Sequence, residues 1–172
     1  MLAWFRYELK RLTYLGNNGS GMAKPRFVDH PLNVDIDRLA RSSDHRILAL
    51  WAAKCAQRVP PLFEKEFPGD DRPRLALVKP GEWARTGGFH MAEVRRASLN
   101  AHAAARRAPE GSAARFARAC GQAMATAHVP THSIAAAWWA SEAVWAEGGD
   151  ASDMMMEREW QFFRLSNISA SS

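Results

Sequence analysis

The chain has 172 residues, 47% of them hydrophobic and 24% charged, the balance of a globular domain large enough for one sizeable core. No run of eighteen apolar residues occurs, which excludes a membrane-spanning helix. The net charge of +5 invites a nucleic-acid partner, but its distribution argues against one. Residues 1–26 carry Arg6, Lys10, Arg11, Lys24 and Arg26 against Glu8, so residues 27–172 are left with only about +1, and a nucleic-acid domain concentrates its excess on the folded surface.

Residues 1–26 therefore read as a basic, disordered N-terminal extension that passes through the flexible GNNGSG, with Met22 as an alternative start. Its charges break up any apolar core of a secretory signal. A rival reading makes it a membrane-surface helix using Leu2, Trp4, Phe5 and Leu9. From Val28 to Ala40 the pattern is short and mixed, and no element is assigned. Ser42 and Ser43 offer an N-cap to an amphipathic helix reaching Arg58, with Leu48, Trp51, Ala52, Cys55 and Val59 as its apolar stripe. Pro60-Pro61 ends it. A short helix with Leu62, Phe63 and Phe67 closes at Pro68-Gly69. The next starts at Asp70-Asp71-Arg72-Pro73, is interrupted at Pro80-Gly81, and stops at Gly87-Gly88.

The second half is alanine-rich: thirteen of the thirty-one residues from Ala97 to Ala127 are alanine, which favours helix over any other state. Helices are expected at about 90–107, 112–128, 132–146 and 153–165. Ala113, Ala117, Gly121 and Ala125 make a narrow face that admits a close neighbour, with Trp138, Trp139 and Trp145 expected to fill the space beside it. No stretch alternates long enough to be a strand. The expected fold is all-α, a compact single-domain bundle of about six to seven helices over residues 27–168, followed by a disordered tail at 169–172.

Cys55 and Cys120 are too few and too far apart for a disulfide framework or a zinc knuckle, and read as reduced, buried thiols of a cytoplasmic protein. Three places set histidine and arginine into apolar patterns: Asp44-His45-Arg46, the pair His102 and Arg106, and ATAHVPTHS with His128 and His132. Pro130 forbids a straight helix through the last, so one helix ends near His128 and another starts with Thr131 as N-cap. The simplest role for these groups is to bond one another and lock helix junctions. The alternatives are a general acid–base site or a metal site, for which no HExxH, CxxC or paired-acid motif is present.

The blocks SSDHRILALWAAKCAQRVPPLFEKEFPGDDRPRLAL, AHAAARRA, ARACGQAMATAHVPTHSIAAAWWASEAV and EREWQFFRL resemble the immunity-protein-five-like family, associated with bacterial polymorphic-toxin systems. The resemblance covers about residues 28–166. It implies an all-α domain that neutralises a cognate toxin by binding rather than by catalysis. On the family's polar pattern it nominates Asp44, His45, Arg46, Asp71, Arg72, Pro73, Arg74, His102, Arg106, His128 and His132. The chain departs from that pattern at Pro80-Gly81 and in its basic N-terminal extension. A local patch, for instance Glu64, Glu66, Asp70 and Asp71, would have to steer the toxin. The runner-up is a small histidine-dependent enzyme or metal-binding protein using His102, His128 and His132. A third reading is a homodimer formed through exposed tryptophans. No cofactor, metal or nucleic-acid partner is expected.

Overall fold

The computed structural model describes residues 30–59, 62–88, 90–147 and 151–170. The expected N-terminal extension, with its GNNGSG and membrane-helix readings, lies outside them, as do residues 171 and 172. Among the described residues every regular element is a helix, in the order α1 (Leu32–Ser42), α2 (His45–Arg58), α3 (Leu62–Glu66), α4 (Arg72–Thr86), α5 (Met91–Arg107), α6 (Ser112–Ala125), α7 (His132–Ala146) and α8 (Ala151–Ala170).

Helix α1 is the element that the mixed pattern hid. Leu32, Ile36, Leu39 and Ala40 fall at helical spacing and pack on the core, but the exposed Val34 and the ion pairs Arg38–Asp35 and Arg41–Asp37 run between them. Ser42 and Ser43 do not cap α2. Their hydroxyls donate back to the Leu39 carbonyl at the end of α1, at 3.0 and 2.8 Å. The cap of α2 is Asp44, whose carboxylate accepts from the Arg46 N–H at 2.8 Å. The α2 stripe of Leu48, Trp51, Ala52, Cys55 and Val59 is buried as expected. Val59 is extended, as a residue before proline must be.

Helix α4 runs unbroken through Pro80-Gly81, contrary to the interruption expected there. The proline forfeits one backbone hydrogen bond, a cost of about 3 kcal/mol, and its fully buried ring recovers part of that in core contacts. Gly87 closes the helix with φ of 74° and donates its N–H to the Trp83 carbonyl at 2.8 Å. The Arg46 guanidinium occupies the space that a Cβ on Gly87 would need, so glycine is required there twice over.

The bundle is organised around α6, which packs against α2, α3, α4, α5 and α7. Eleven of its fourteen residues are buried; only Arg115, Arg118 and Gln122 escape, and they form a single stripe. The small face of Ala113, Ala117, Gly121 and Ala125 is buried as expected. Its close neighbours are not the tryptophans, however. On the α7 side the core-facing residues are Ala136, Ala137, Ala140 and Ala143, all fully buried, whereas Trp138 and Trp139 are half-buried and Trp145 is exposed. Helices this close leave room only for methyl groups, and the large rings are pushed to the flanks. On the α5 side, the His102 ring lies against Gly121, and the Ser98 hydroxyl donates to the Gly121 carbonyl at 3.0 Å. Helix α8 continues to Ala170, beyond the expected end near 165, and the Ser169 hydroxyl bonds that of Ser43 at 3.0 Å.

A Cβ on Gly121 would stand 2.8 Å from His102 Nε2. Gly121→Ala is therefore expected to lower stability by about 1–3 kcal/mol by overpacking, although alanine is the better helix former. In a His102→Ala background the same change is expected to be neutral or stabilising. Urea denaturation of the four proteins checks this; an additive pair would contradict the contact.

Candidate functional site

The nominated polar residues fall into three groups. The first sits at the start of α2 and the end of α4. His45 Nε2 donates to the Thr126 carbonyl at 2.5 Å, and its ring meets Trp83 edge-on at 4.7 Å. A carbonyl can only accept, so this nitrogen carries the proton. His45 thus ties the start of α2 to the last turn of α6 and to α4. Asp44 caps the helix and Arg46 covers Gly87, so this group is spent on holding a junction.

Of the second group, Asp71 and Arg72 line a groove of about 630 Å³ whose walls also include Phe63, Phe67, Pro68-Gly69 and Arg107, while Pro73 and Arg74 lie outside it. Arg72 grips Asp70 with both Nε, at 2.7 Å, and Nη2. That fork holds the Asp70 carboxyl below its usual range. Asp71 and Arg74 form a longer exposed pair at 3.7 Å, worth little to stability. Pro73, the second residue of α4, is fully buried.

The third group follows the α6 stripe. Gln122 Oε1 accepts from His132 Nδ1 at 2.6 Å, and the His132 ring lies 5.4 Å from that of His128. The proline corner therefore keeps the two histidines together, and Thr131 holds the N-cap position of α7 without a capping bond from its side chain. The buried Nδ1 of His128 makes no hydrogen bond among the described residues. His102, on α5, is half-buried. Burial, aided by Arg106, Arg118 and His132, lowers its pKa; burial and then His128 lower that of His132. Both therefore favour the neutral ring. Two cavities stand out among the described residues, and neither is lined by His102, His128 or His132. No three His, Cys, Asp or Glu side chains among the described residues are placed to hold a metal ion. Cys55 and Cys120 are fully buried and unbridged, and burial pushes both thiols well above their usual pKa, so neither is an activated nucleophile.

One polar system was not anticipated. On α8, Glu157, Arg158 and Gln161 are buried together. Arg158 donates from Nε and Nη2 to Asn33 Oδ1, at 3.2 and 2.7 Å, and from Nη1 to Gln161 Oε1 at 2.6 Å. Gln161 Nε2 donates to the Ala137 carbonyl, Ser141 Oγ and Glu157 Oε1, and the Gln161 carbonyl accepts from Trp51 Nε1 at 2.8 Å. Glu157 is paired with the half-exposed Arg58 at 2.7 Å. Burial lowers the Arg158 pKa to about 10 and lowers that of neighbouring His30 to about 4. The signal was in the sequence: Met154, Arg158, Gln161 and Leu165 share one helical spacing, with two polar residues on an otherwise apolar stripe.

The arrangement is that of a helical bundle in which many internal polar groups bond within the protein, His128 Nδ1 being an exception. Over residues 38–168 the chain matches the family model described as "Imm-5 like putative immunity protein", and it belongs to that family. No curated protein and no solved structure matches it. No helix among the described residues is long and apolar enough to cross a membrane.

Two outcomes follow from these contacts. Arg58→Ala, which leaves the buried Glu157 carboxylate without its ion-pair partner, is expected to cost about 3 kcal/mol or more, and Arg158→Ala, which strands the Asn33 and Gln161 side-chain oxygens, about 1–3 kcal/mol, both by chemical denaturation. The second concerns pH. His30, His102 and His132 have folded pKa values below the unfolded value of 6.5, so the unfolded chain binds more protons. Their contribution is complete above pH 6.5 and is lost as pH falls from there through the folded values. Glu142 and Glu157, raised by burial, act in the opposite sense. His102→Gln and His132→Gln are therefore expected to flatten the fall in stability between pH 7 and 5 relative to the wild type; an unchanged slope would contradict the assignment.

Proposed function

We propose that this chain is an immunity protein that neutralises a bacterial toxin by binding it as a stoichiometric inhibitor. The observation that carries this reading is the family match, which spans α2 to α7 entire, the end of α1 and most of α8. The physical character of the molecule supports it. Several of the nominated polar residues are engaged within the fold: His45 with Thr126, His132 with Gln122, Arg72 with Asp70. A body held in one arrangement by such bonds presents a pre-organised surface, which lowers the cost of association. With residues 27–172 near neutral overall, recognition rests on local patches rather than on long-range steering.

Drawn gently from its native cells, the chain is expected to carry one further polypeptide, whose expression alone arrests growth and whose co-expression with this chain restores it. The purified pair should migrate as a stoichiometric complex, with the toxin's covalent mass unchanged by mass spectrometry. Rescue accompanied by a cleaved or modified toxin, with no complex, would contradict binding and favour the histidine-dependent enzymatic alternative.

A further inference from the structure

The corner that joins α5, α6 and α7 gathers three half-buried histidines whose ring nitrogens are largely uncommitted. His132 engages only Nδ1, with Gln122 Oε1; an amide oxygen can only accept, so Nδ1 carries the proton and Nε2 the lone pair. His128 lies 5.4 Å away, ring to ring. Its Nδ1 is buried without a bond, and its Nε2 is neither bonded nor buried. His102 stands against Gly121 and makes no hydrogen bond among the described residues, yet neither of its nitrogens is buried. Two arginines frame the three rings. Arg106, one turn along α5 from His102, is exposed and has no ion-pair partner among the described residues. Arg118 gives Nη1 to Glu110, at 3.2 and 3.1 Å, and keeps its other nitrogens unbonded. The corner is also built in advance: the Ser133 hydroxyl donates to the Pro130 carbonyl at 2.6 Å, and the His132 N–H to the Val129 carbonyl at 3.1 Å.

The charges around these rings select the ligand. Those that act on His102 are all positive: Arg106 from its own helix, Arg118 from α6 and His132 from α7. His132 in turn feels His128. The other carboxylates of this edge lie toward the start of α6, where Glu142 is 4.0 Å from Arg115 and Glu147 accepts from Ser112 at 2.6 Å. Glu110 offsets Arg118, so with neutral rings the charge of Arg106 stands unbalanced, and each protonated ring adds one more. Helix α7 begins here too, with no side-chain cap on its first turn, and its positive end adds to the same field. A divalent cation would meet all of these charges, and no three ligating side chains among the described residues are placed to hold it. An oxyanion meets the reverse: a guanidinium fork for two oxygens and imidazole N–H groups for the others, each a charge-assisted bond. The place is a shallow corner outside the two cavities, which suits a small tetrahedral anion better than a large organic ligand.

We propose that this corner binds a phosphate-type oxyanion, as the free ion or as a small phosphomonoester, between Arg106, His102, His128 and His132. The site is separate from toxin binding, and its failure would leave the immunity reading untouched. The bound anion supplies the counter-charge that the rings lack, so binding takes up protons. The test titrates inorganic phosphate into the full chain at constant ionic strength and follows the imidazole resonances by NMR. His102, His128 and His132 are expected to shift with one common, saturating midpoint, while His45, whose Nε2 is bonded to Thr126, stays still. Arg106→Gln is expected to weaken binding about tenfold. Arg107→Gln, the same charge change at the next residue but on the groove of Phe63, is expected to leave it unchanged. Sulfate, whose own charge is fixed in this range, should bind more tightly at pH 6 than at pH 7.5, because the empty site holds His102 and His132 below the usual histidine value. Equal affinity for phosphate and a phosphomonoester would assign the free ion, and tighter binding of the monoester an esterified ligand; either carries the site. No saturating shift, or the same loss in Arg106→Gln and Arg107→Gln, would overturn it. Saturation by zinc chloride but not by phosphate would put a metal ion in place of the anion.

Discussion

Everything in this molecule depends on the close burial of α6. A helix packed on nearly every side by five others must be built from small residues, and its alanines, Gly121 and Cys120 meet that demand. The consequence reaches outward. Since methyl groups fill the contact with α7 and an imidazole fills the contact with α5, neither neighbour can place its large rings inside. The tryptophans of α7 lie at the flank, where Arg118 of α6 stands over Trp139 and Arg115 over Trp145. One packing constraint thus produces both the core and the arginine–tryptophan face.

Helix α8 solves a different problem. It lies against α1, α2 and α7, and its inward face holds an arginine and two further polar side chains where an apolar stripe would serve. A buried ion is costly unless its hydrogen bonds are met, and here they are met by α1, through Asn33, and by α8 itself, through Gln161. Gln161 also reaches α7 backbone and accepts from α2 through Trp51. The network therefore specifies how four helices sit together, a role that apolar contacts, being non-directional, fill less sharply.

Much of the fold was legible in the sequence. Alanine content, helical spacing and the Pro–Gly punctuation placed most helices, and the α2 stripe was correct residue by residue. What failed did so for identifiable reasons. Helix α1 was obscured because its apolar stripe is narrow and crossed by charges and Val34. Pro80 looked like a break because backbone chemistry alone disfavours it, and tertiary burial of its ring prevailed. Helix α7 is apolar on all sides, so periodicity could not say which side faces inward, and size was a misleading guide. The polar residues were visible as exceptions, but not their partners: nothing local links His45 to Thr126, or Arg158 to Asn33. Such pairings are set by tertiary packing, and a single sequence does not encode them at short range. The arginine–tryptophan face was hidden for the same reason.

The measurement that bears most directly on the central claim is native-state hydrogen exchange of the free protein, read helix by helix. If α6 is the hub, its amides can exchange only when the whole bundle opens. The account predicts that residues 116–124 have the highest protection, equal to the global unfolding free energy from denaturation, with α1 and the end of α8 exchanging through smaller openings. Exchange of α6 by local opening, faster than that of α8, would show that the bundle does not depend on its central helix and would contradict the account.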